Sequence, residues 1–261
     1  MTSWVGQYCI YVGDIERSVA FYEALGLTCT SRTELDGVHE AIVEHPGKGG
    51  KMQLAEQVAN AGRPIEMGNA FWKLYVGSND INGLFAAAVK AGATVESEPE
   101  RLERWPMSIG FVRDPDGYLV ELTQRHPWTD GDDTTYSWFN QYCIYVTDLE
   151  ATIAFYETLG LECTSRTDIP GHAEAILEHP EQGGKIQLAQ QLDNDAPIDM
   201  GTSMWKLYVN TDDCQAAYDK AIAAGYDSVM APLRPERWPV TIAFVADPDG
   251  YQVELVERHP D

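Results

Sequence analysis

The chain has 261 residues, of which 44% are hydrophobic and 23% charged, and its formal net charge is −23. That is length and apolar content enough for one large or two ordinary globular domains. Acidity on this scale argues against the phosphate backbone of nucleic acid and against anionic membrane surfaces as partners, and no apolar run approaches the roughly 20 residues of a membrane-spanning helix.

Gln7 to Val12 alternates as a strand. Asp14 is placed to cap a helix whose apolar positions Ile15, Val19, Phe21, Tyr22 and Leu25 follow helical spacing, and Gly26 ends it. Short strands are expected over Leu27 to Thr33, Glu40 to His45 and Lys51 to Ala55, with Gly47 to Gly50 as a hairpin. The order then repeats: a strand over Phe71 to Val76, a helix over Asp80 to Ala91 stopped by Gly92, and strands over Thr94 to Glu96, Met107 to Arg113 and Tyr118 to Thr123. Asp114-Pro115-Asp116-Gly117 is a turn sequence between the last two.

All of this is written twice. Gln7-Tyr8-Cys9-Ile10-Tyr11-Val12 returns as Gln141-Tyr142-Cys143-Ile144-Tyr145-Val146, Trp72-Lys73-Leu74-Tyr75-Val76 as Trp205-Lys206-Leu207-Tyr208-Val209, and Asp114-Pro115-Asp116-Gly117-Tyr118 as Asp247-Pro248-Asp249-Gly250-Tyr251. More than half of the aligned positions are identical. Residues 1–127 read as one domain, 128–136 as an exposed linker rich in Asp, Thr and Gly, and 137–261 as a second domain. The five cysteines form no Cys-x-x-Cys, and the start, Met1-Thr2-Ser3-Trp4, has no signal-peptide pattern. The expectation is a soluble cytoplasmic protein with reduced cysteines serving as small core filler.

On the strands, Gln7 shares a face with Cys9 and Tyr11, and alternation puts Phe71, Lys73 and Tyr75 on one face. Glu121, between Val120 and Leu122, and its copy Glu254 are carboxylates set in apolar strands, either facing solvent or buried with a partner. Together, Gln-Tyr-Cys-Ile-Tyr-Val-x-Asp, Phe-Tyr-Glu-x-Leu-Gly-Leu and the closing Asp-Pro-Asp-Gly-Tyr-x-Val-Glu-Leu resemble the vicinal oxygen chelate superfamily, which includes glyoxalase I, extradiol dioxygenases and the bleomycin-resistance proteins. The resemblance spans nearly the whole chain, twice. It implies an α+β fold of two tandem domains, built from paired βαβββ modules that form cupped mixed β-sheets. Whether each cup closes within one copy or between the two stays open.

In metal-using members of that superfamily four positions face the cavity. The resemblance places them here on Gln7 and Gln141, on Gln53 and Gln187, on Phe71 and Met204 where a histidine is usual, and on Glu121 and Glu254. Two amides and one carboxylate are a weak ligand set for zinc, nickel or iron. A divalent metal is left open, on Gln7, Gln53 and Glu254 or on Gln141, Gln187 and Glu121, and no nucleotide or flavin is expected. Lys73 and Lys206 are candidates to replace the metal in part. Tyr11, Tyr145, Tyr75 and Tyr208 are expected to line the cavities, with Arg104, Trp105, Arg237 and Trp238 in loops above them. The implied function is that of a glyoxalase-I-like lyase or isomerase, moving a proton beside a carbonyl with Glu121 and Glu254 as bases and Lys73 and Lys206 assisting. The alternative is a metal-free protein that binds and sequesters a small molecule, as the bleomycin-resistance type does. Either reading gives a small-molecule ligand and a monomer or homodimer.

Overall fold

The computed structural model describes residues 1–127 and 136–260. The proposed linker therefore lies outside the described residues except for Tyr136. Four βαβββ modules follow one another. The first holds β1 (Ser3–Tyr11), α1 (Ile15–Ala24), β2 (Thr28–Leu35), β3 (Val38–His45) and β4 (Lys48–Gln57). The second holds β5 (Phe71–Ser78), α2 (Ile81–Lys90), β6 (Thr94–Arg101), β7 (Met107–Arg113) and β8 (Leu119–Arg125). The third holds β9 (Ser137–Tyr145), α3 (Leu149–Thr158), β10 (Glu162–Ile169), β11 (His172–His179) and β12 (Gln182–Gln191). The fourth holds β13 (Met204–Thr211), α4 (Cys214–Ala223), β14 (Ser228–Leu233), β15 (Val240–Ala246) and β16 (Gln252–Arg258). Each of the four helices is capped by an aspartate, Asp14, Asp80, Asp148 or Asp213, whose side chain accepts from the backbone N–H three residues on.

The modules pair across the duplication. β1 lies parallel to β4 in its own module and antiparallel to β13 of the fourth. β5 lies parallel to β8 and antiparallel to β9 of the third. One curved sheet therefore runs β2-β3-β4-β1-β13-β16-β15-β14, and the other β10-β11-β12-β9-β5-β8-β7-β6. Each cup takes its first half from one copy and its second half from the other, which decides the alternative left open by the sequence.

Period-two alternation explains where the apolar residues go. On β1 the fully buried Tyr8 and Ile10 enter the main core, while Gln7 lines the cup and Cys9 joins a separate small cluster with Ala55 and Tyr208. Tyr8 and Tyr142 stack at the centre, with ring centroids 5.1 Å apart and planes 3° off parallel. The two sheets touch here, at Val5–Gly184 and Gly50–Phe139. A Cβ on Gly50 would sit 2.7 Å from the Tyr8 ring, so this glycine is required by the close approach.

The Asp-Pro-Asp-Gly-Tyr turns also tie the copies together. The Tyr118 hydroxyl donates to the carbonyls of Tyr11 (2.6 Å) and Ser203 (2.9 Å), and that of Tyr251 to those of Tyr145 (2.7 Å) and Ala70 (2.9 Å). Asp114 and Asp247 anchor the turns by accepting from the backbone N–H groups of Asp116 and Tyr118, and of Asp249 and Tyr251. Burial, the larger cause, and neighbouring Asp116 push Asp114 up to about 7. Burial with Asp249 does the same for Asp247. An ordinary aspartate titrates near 3.9, so the folded state holds these protons more tightly than the unfolded chain does. The stability this contributes is fully present below about pH 4 and is lost as pH rises through about 7. The free energy of unfolding is therefore expected to fall by more than about 1 kcal/mol between pH 5 and pH 8, measured by urea titration. Asp114→Asn/Asp247→Asn should flatten that slope, and an unchanged slope in the double variant would refute the assignment.

Candidate active site

Each sheet encloses one cavity on its concave face. The first, of about 350 Å³, is lined by Gln7, Glu40 and Gln53 from the first module and by Lys206, Tyr208 and Glu254 from the fourth. The second, of about 360 Å³, is lined by Gln141, Glu174 and Gln187 from the third module and by Lys73, Tyr75 and Glu121 from the second. Aromatic and aliphatic side chains complete the walls: Trp205, Trp238 and Phe244 in the first, Trp105, Phe111 and Ile109 in the second.

The lysine and the glutamate meet in both cups. Lys73 Nζ lies 2.8 Å from Glu121 Oε2, and Lys206 Nζ lies 2.9 Å from Glu254 Oε2. All four residues are buried, at 5–9% exposure. Glu254 Oε2 has the ammonium beside it but takes no well-directed hydrogen bond, so acceptor capacity remains there. Burial pushes the Glu121 carboxyl above its ordinary value, while the Lys73 ammonium and the Tyr75 hydroxyl pull it partly back. Each ammonium lies over aromatic rings: Lys73 Nζ is 4.1 Å from the Trp72 centroid and 4.9 Å from that of Tyr75, and Lys206 Nζ is 4.1 Å from Trp205 and 4.8 Å from Tyr208. The glutamines bind each other: Gln7 Nε2 donates to Gln53 Oε1 (3.1 Å), which also accepts from the Tyr208 hydroxyl (2.5 Å), and Gln141 Nε2 donates to Gln187 Oε1 (2.5 Å).

Phe71 and Met204 do not line either cavity. Both belong to the main core, where Phe71 packs edge-on against Tyr118 and Tyr142 and the Met204 sulfur accepts from the Tyr142 hydroxyl. The cause is a β-bulge. Phe71 pairs with Ile144 and Lys73 with Cys143, so Trp72 is an extra residue and the face reverses across it. The register shifts in the same way between Met204 and Leu207 on β13. The wall positions on β5 and β13 are thus Lys73 and Lys206, and the expectation that Phe71 shares their face is corrected.

The aromatic candidates divide. Tyr75 and Tyr208 line the cups. Tyr11 and Tyr145 stand behind the walls, stacked on Trp205 and Trp72. Trp105 and Trp238 sit at the mouths, about 40% exposed. Arg104 and Arg237 stack on those tryptophans outside the cavity linings, while Arg125 and Arg258 reach the linings instead. Cys9 and Cys143 are buried, and desolvation holds their thiols well above the usual range, which removes them as nucleophiles.

Glu40 and Glu174 were not singled out by the sequence reading. Each lies on the cup face one pair along from the glutamine: Ile42 pairs with Gln53 and Glu40 with Ala55, as Ile176 pairs with Gln187 and Glu174 with Ala189. Burial raises both carboxyls, and the nearby ammonium of Lys206 or Lys73 opposes the rise. The available signal was repetition of a glutamate at the same place in an apolar strand of both copies.

The profile of the Glyoxalase/Bleomycin resistance protein/Dioxygenase superfamily matches residues 4–122 and 138–255. The chain belongs to that superfamily. Among relatives, it is 26% identical over 260 residues to a lactoylglutathione lyase of Arabidopsis thaliana, covering 95% of this chain and 89% of that protein. It is 34% identical over 118 residues to a probable lactoylglutathione lyase of Vibrio parahaemolyticus, covering 44% of this chain and 85% of that protein. The crystal structure of glyoxalase I from Zea mays superposes with a TM-score of 0.85 at 22% identity, over 98% of this chain and 92% of that one, which is a likeness of fold. Among the described residues, no helix is long and apolar enough to cross a membrane.

The superfamily's metal can be tested against these cups. Of the oxygens that would bind it, Gln53 Oε1 already has two donors and Gln187 Oε1 one, and an ammonium stands against the carboxylate. Among the described residues no group of three or more His, Cys, Asp or Glu side chains could hold an ion. The residues present do not fit a divalent metal.

Proposed function

We propose that the chain is a glyoxalase-like lyase or isomerase that moves a proton beside the carbonyl of a small substrate, once in each cup. The observation that carries this reading is the buried Glu–Lys pair facing an aromatic-walled cavity, present in the same form twice. Burial holds the Glu121 carboxylate above its ordinary range, which makes it a stronger base than an exposed one. Glu121 takes the proton from the carbon next to the carbonyl. The electrons of that C–H bond form the new carbon–carbon double bond, and those of the carbonyl move onto its oxygen. Lys73 has three N–H donors and spends one on Glu121, which leaves donors for that oxygen. Glu121 then returns the proton to the former carbonyl carbon while the substrate's hydroxyl proton crosses to the other oxygen, so the step is an isomerisation with no net change of atoms. Glu254 and Lys206 do the same in the first cup. Tyr75, Tyr208 and the glutamine pairs orient the substrate.

The names of the Arabidopsis and Vibrio relatives supply the first assay, formation of lactoylglutathione. Small α-hydroxy carbonyl compounds are the broader panel. With the chain in D2O and the reaction followed by proton NMR, the expected result is isomerised product, with deuterium exchanged at the reacting carbon or hydrogen carried across internally. A ligand that binds both cups yet shows neither isomerisation nor exchange would replace this reading with that of a sequestering protein.

A further inference from the structure

We infer that the ammonium groups of Lys73 and Lys206 take the place of a divalent cation, so that each cup is a permanently metal-free site whose electrophile is part of the chain. This rests on the same cups as the proposed proton transfer but not on that transfer taking place.

Three observations carry it. The first is position: the bulges at the start of β5 and β13 turn Lys73 and Lys206 onto the cup wall beside the closing glutamates. The second is confinement. Each lysine is under 10% exposed, and its ammonium is held between a carboxylate and three rings: Trp72, Tyr75 and Phe111 at 4.1, 4.9 and 5.7 Å, and Trp205, Tyr208 and Phe244 at 4.1, 4.8 and 5.7 Å. A long side chain that could swing out of a shallow site cannot leave this one without exposing that aromatic surface. The third is charge. Glu40 joins Glu254 around Lys206, and Glu174 joins Glu121 around Lys73. Two carboxylates thus share each cavity with one ammonium, and a divalent ion entering the same space would have to displace that ammonium from its partner. The rings supply what a metal's coordination shell would otherwise supply, a fixed place for positive charge.

The test needs no substrate. Intact chain is equilibrated with Mg2+, Mn2+, Ni2+ or Zn2+, desalted, and its metal content is measured by native mass spectrometry and elemental analysis. The expected result is no stoichiometric ion in the natural chain, and any activity found should survive EDTA. In Lys73→His/Lys206→His each cup would present Gln, Gln, His and Glu, and about two Ni2+ or Zn2+ ions per chain are expected. Those ions should disappear when Glu121→Gln/Glu254→Gln is added. One or two equivalents of metal in the natural chain, lost in the glutamine variant, would overturn the inference. So would a histidine variant that is folded by circular dichroism yet takes up no ion, because the ammonium would then not be what keeps ions out. Metal content is read on chain without substrate, so failure of the proposed reaction leaves this result unaffected.

Discussion

Replacing Glu121 and Glu254 together by glutamine is expected to lower kcat/KM by about 10²- to 10⁴-fold, the usual contribution of a positioned acid–base group. Each single replacement should cost only about half of the turnover per chain, because two cups with the same residues act side by side. Glutamine keeps the size of the side chain and an oxygen for the lysine, so the change removes basicity more than shape. Breaking a buried ion pair ordinarily costs about 3–5 kcal/mol of stability. Here Glu40 and Glu174 remain near the two ammonium groups and reduce that cost. The urea midpoint, measured beside kcat/KM, separates lost chemistry from lost fold. In the Glu254→Gln background only the second cup works, and its pH profile reports Glu121. The ionised carboxylate is the active form and its titration is shifted upward, so activity should fall on acidification at a pH above the ordinary carboxylate range. A double variant that keeps its full kcat would remove these carboxylates from the reaction.

The fold was legible in the chain because the duplicated motifs report local structure. Asp14 caps α1 and Gly26 follows it with φ near 87°, as helix-end chemistry requires, and the Asp-Pro-Asp-Gly turns stand between β7 and β8 and between β15 and β16. Gln7, Gln53 and Glu254 could be grouped through the family resemblance, and the structure brings them into one cup. Three features were out of reach. The bulge at Trp72 is a property of pairing with β9, so simple alternation put Phe71 on the wrong face. The closure of cups between copies depends on β1 meeting β13 and β5 meeting β9, contacts about 200 and 70 residues apart along the chain. Glu40 and Glu174 repeat between the copies, but Glu44 and Glu178 repeat on the same strand face, so repetition alone does not mark which glutamate enters the cup.

Residues 1–127 expressed alone are expected to lack a working site as a monomer and to regain it on pairing with a second molecule of the same piece. The cups dictate this. That piece keeps Gln7, Glu40 and Gln53 for one cup and Lys73 and Glu121 for the other, and the two sets serve different cavities. Losing the second copy also strips β13 from β1 and β9 from β5, leaving two unpaired strand edges beside Val5, Ile10, Leu74 and Val76, which are buried in the whole chain. Edges of this kind recruit another strand. The replacement partner is at hand, because β5 carries the same Trp-Lys-Leu-Tyr-Val as β13 and β1 the same Gln-Tyr-Cys-Ile-Tyr as β9. A two-fold dimer of the piece would therefore rebuild two cups, each with Gln, Gln, Lys and Glu, through one self-complementary interface. The Vibrio relative, of which a 118-residue match covers 85%, is about the length of one such copy. Turnover of the half chain should accordingly depend on the square of its concentration when dilute and should track the dimer fraction seen by sedimentation. A strictly monomeric half chain with full activity per site would show that one copy can close a cup by itself, and would break the link between the duplication and the site.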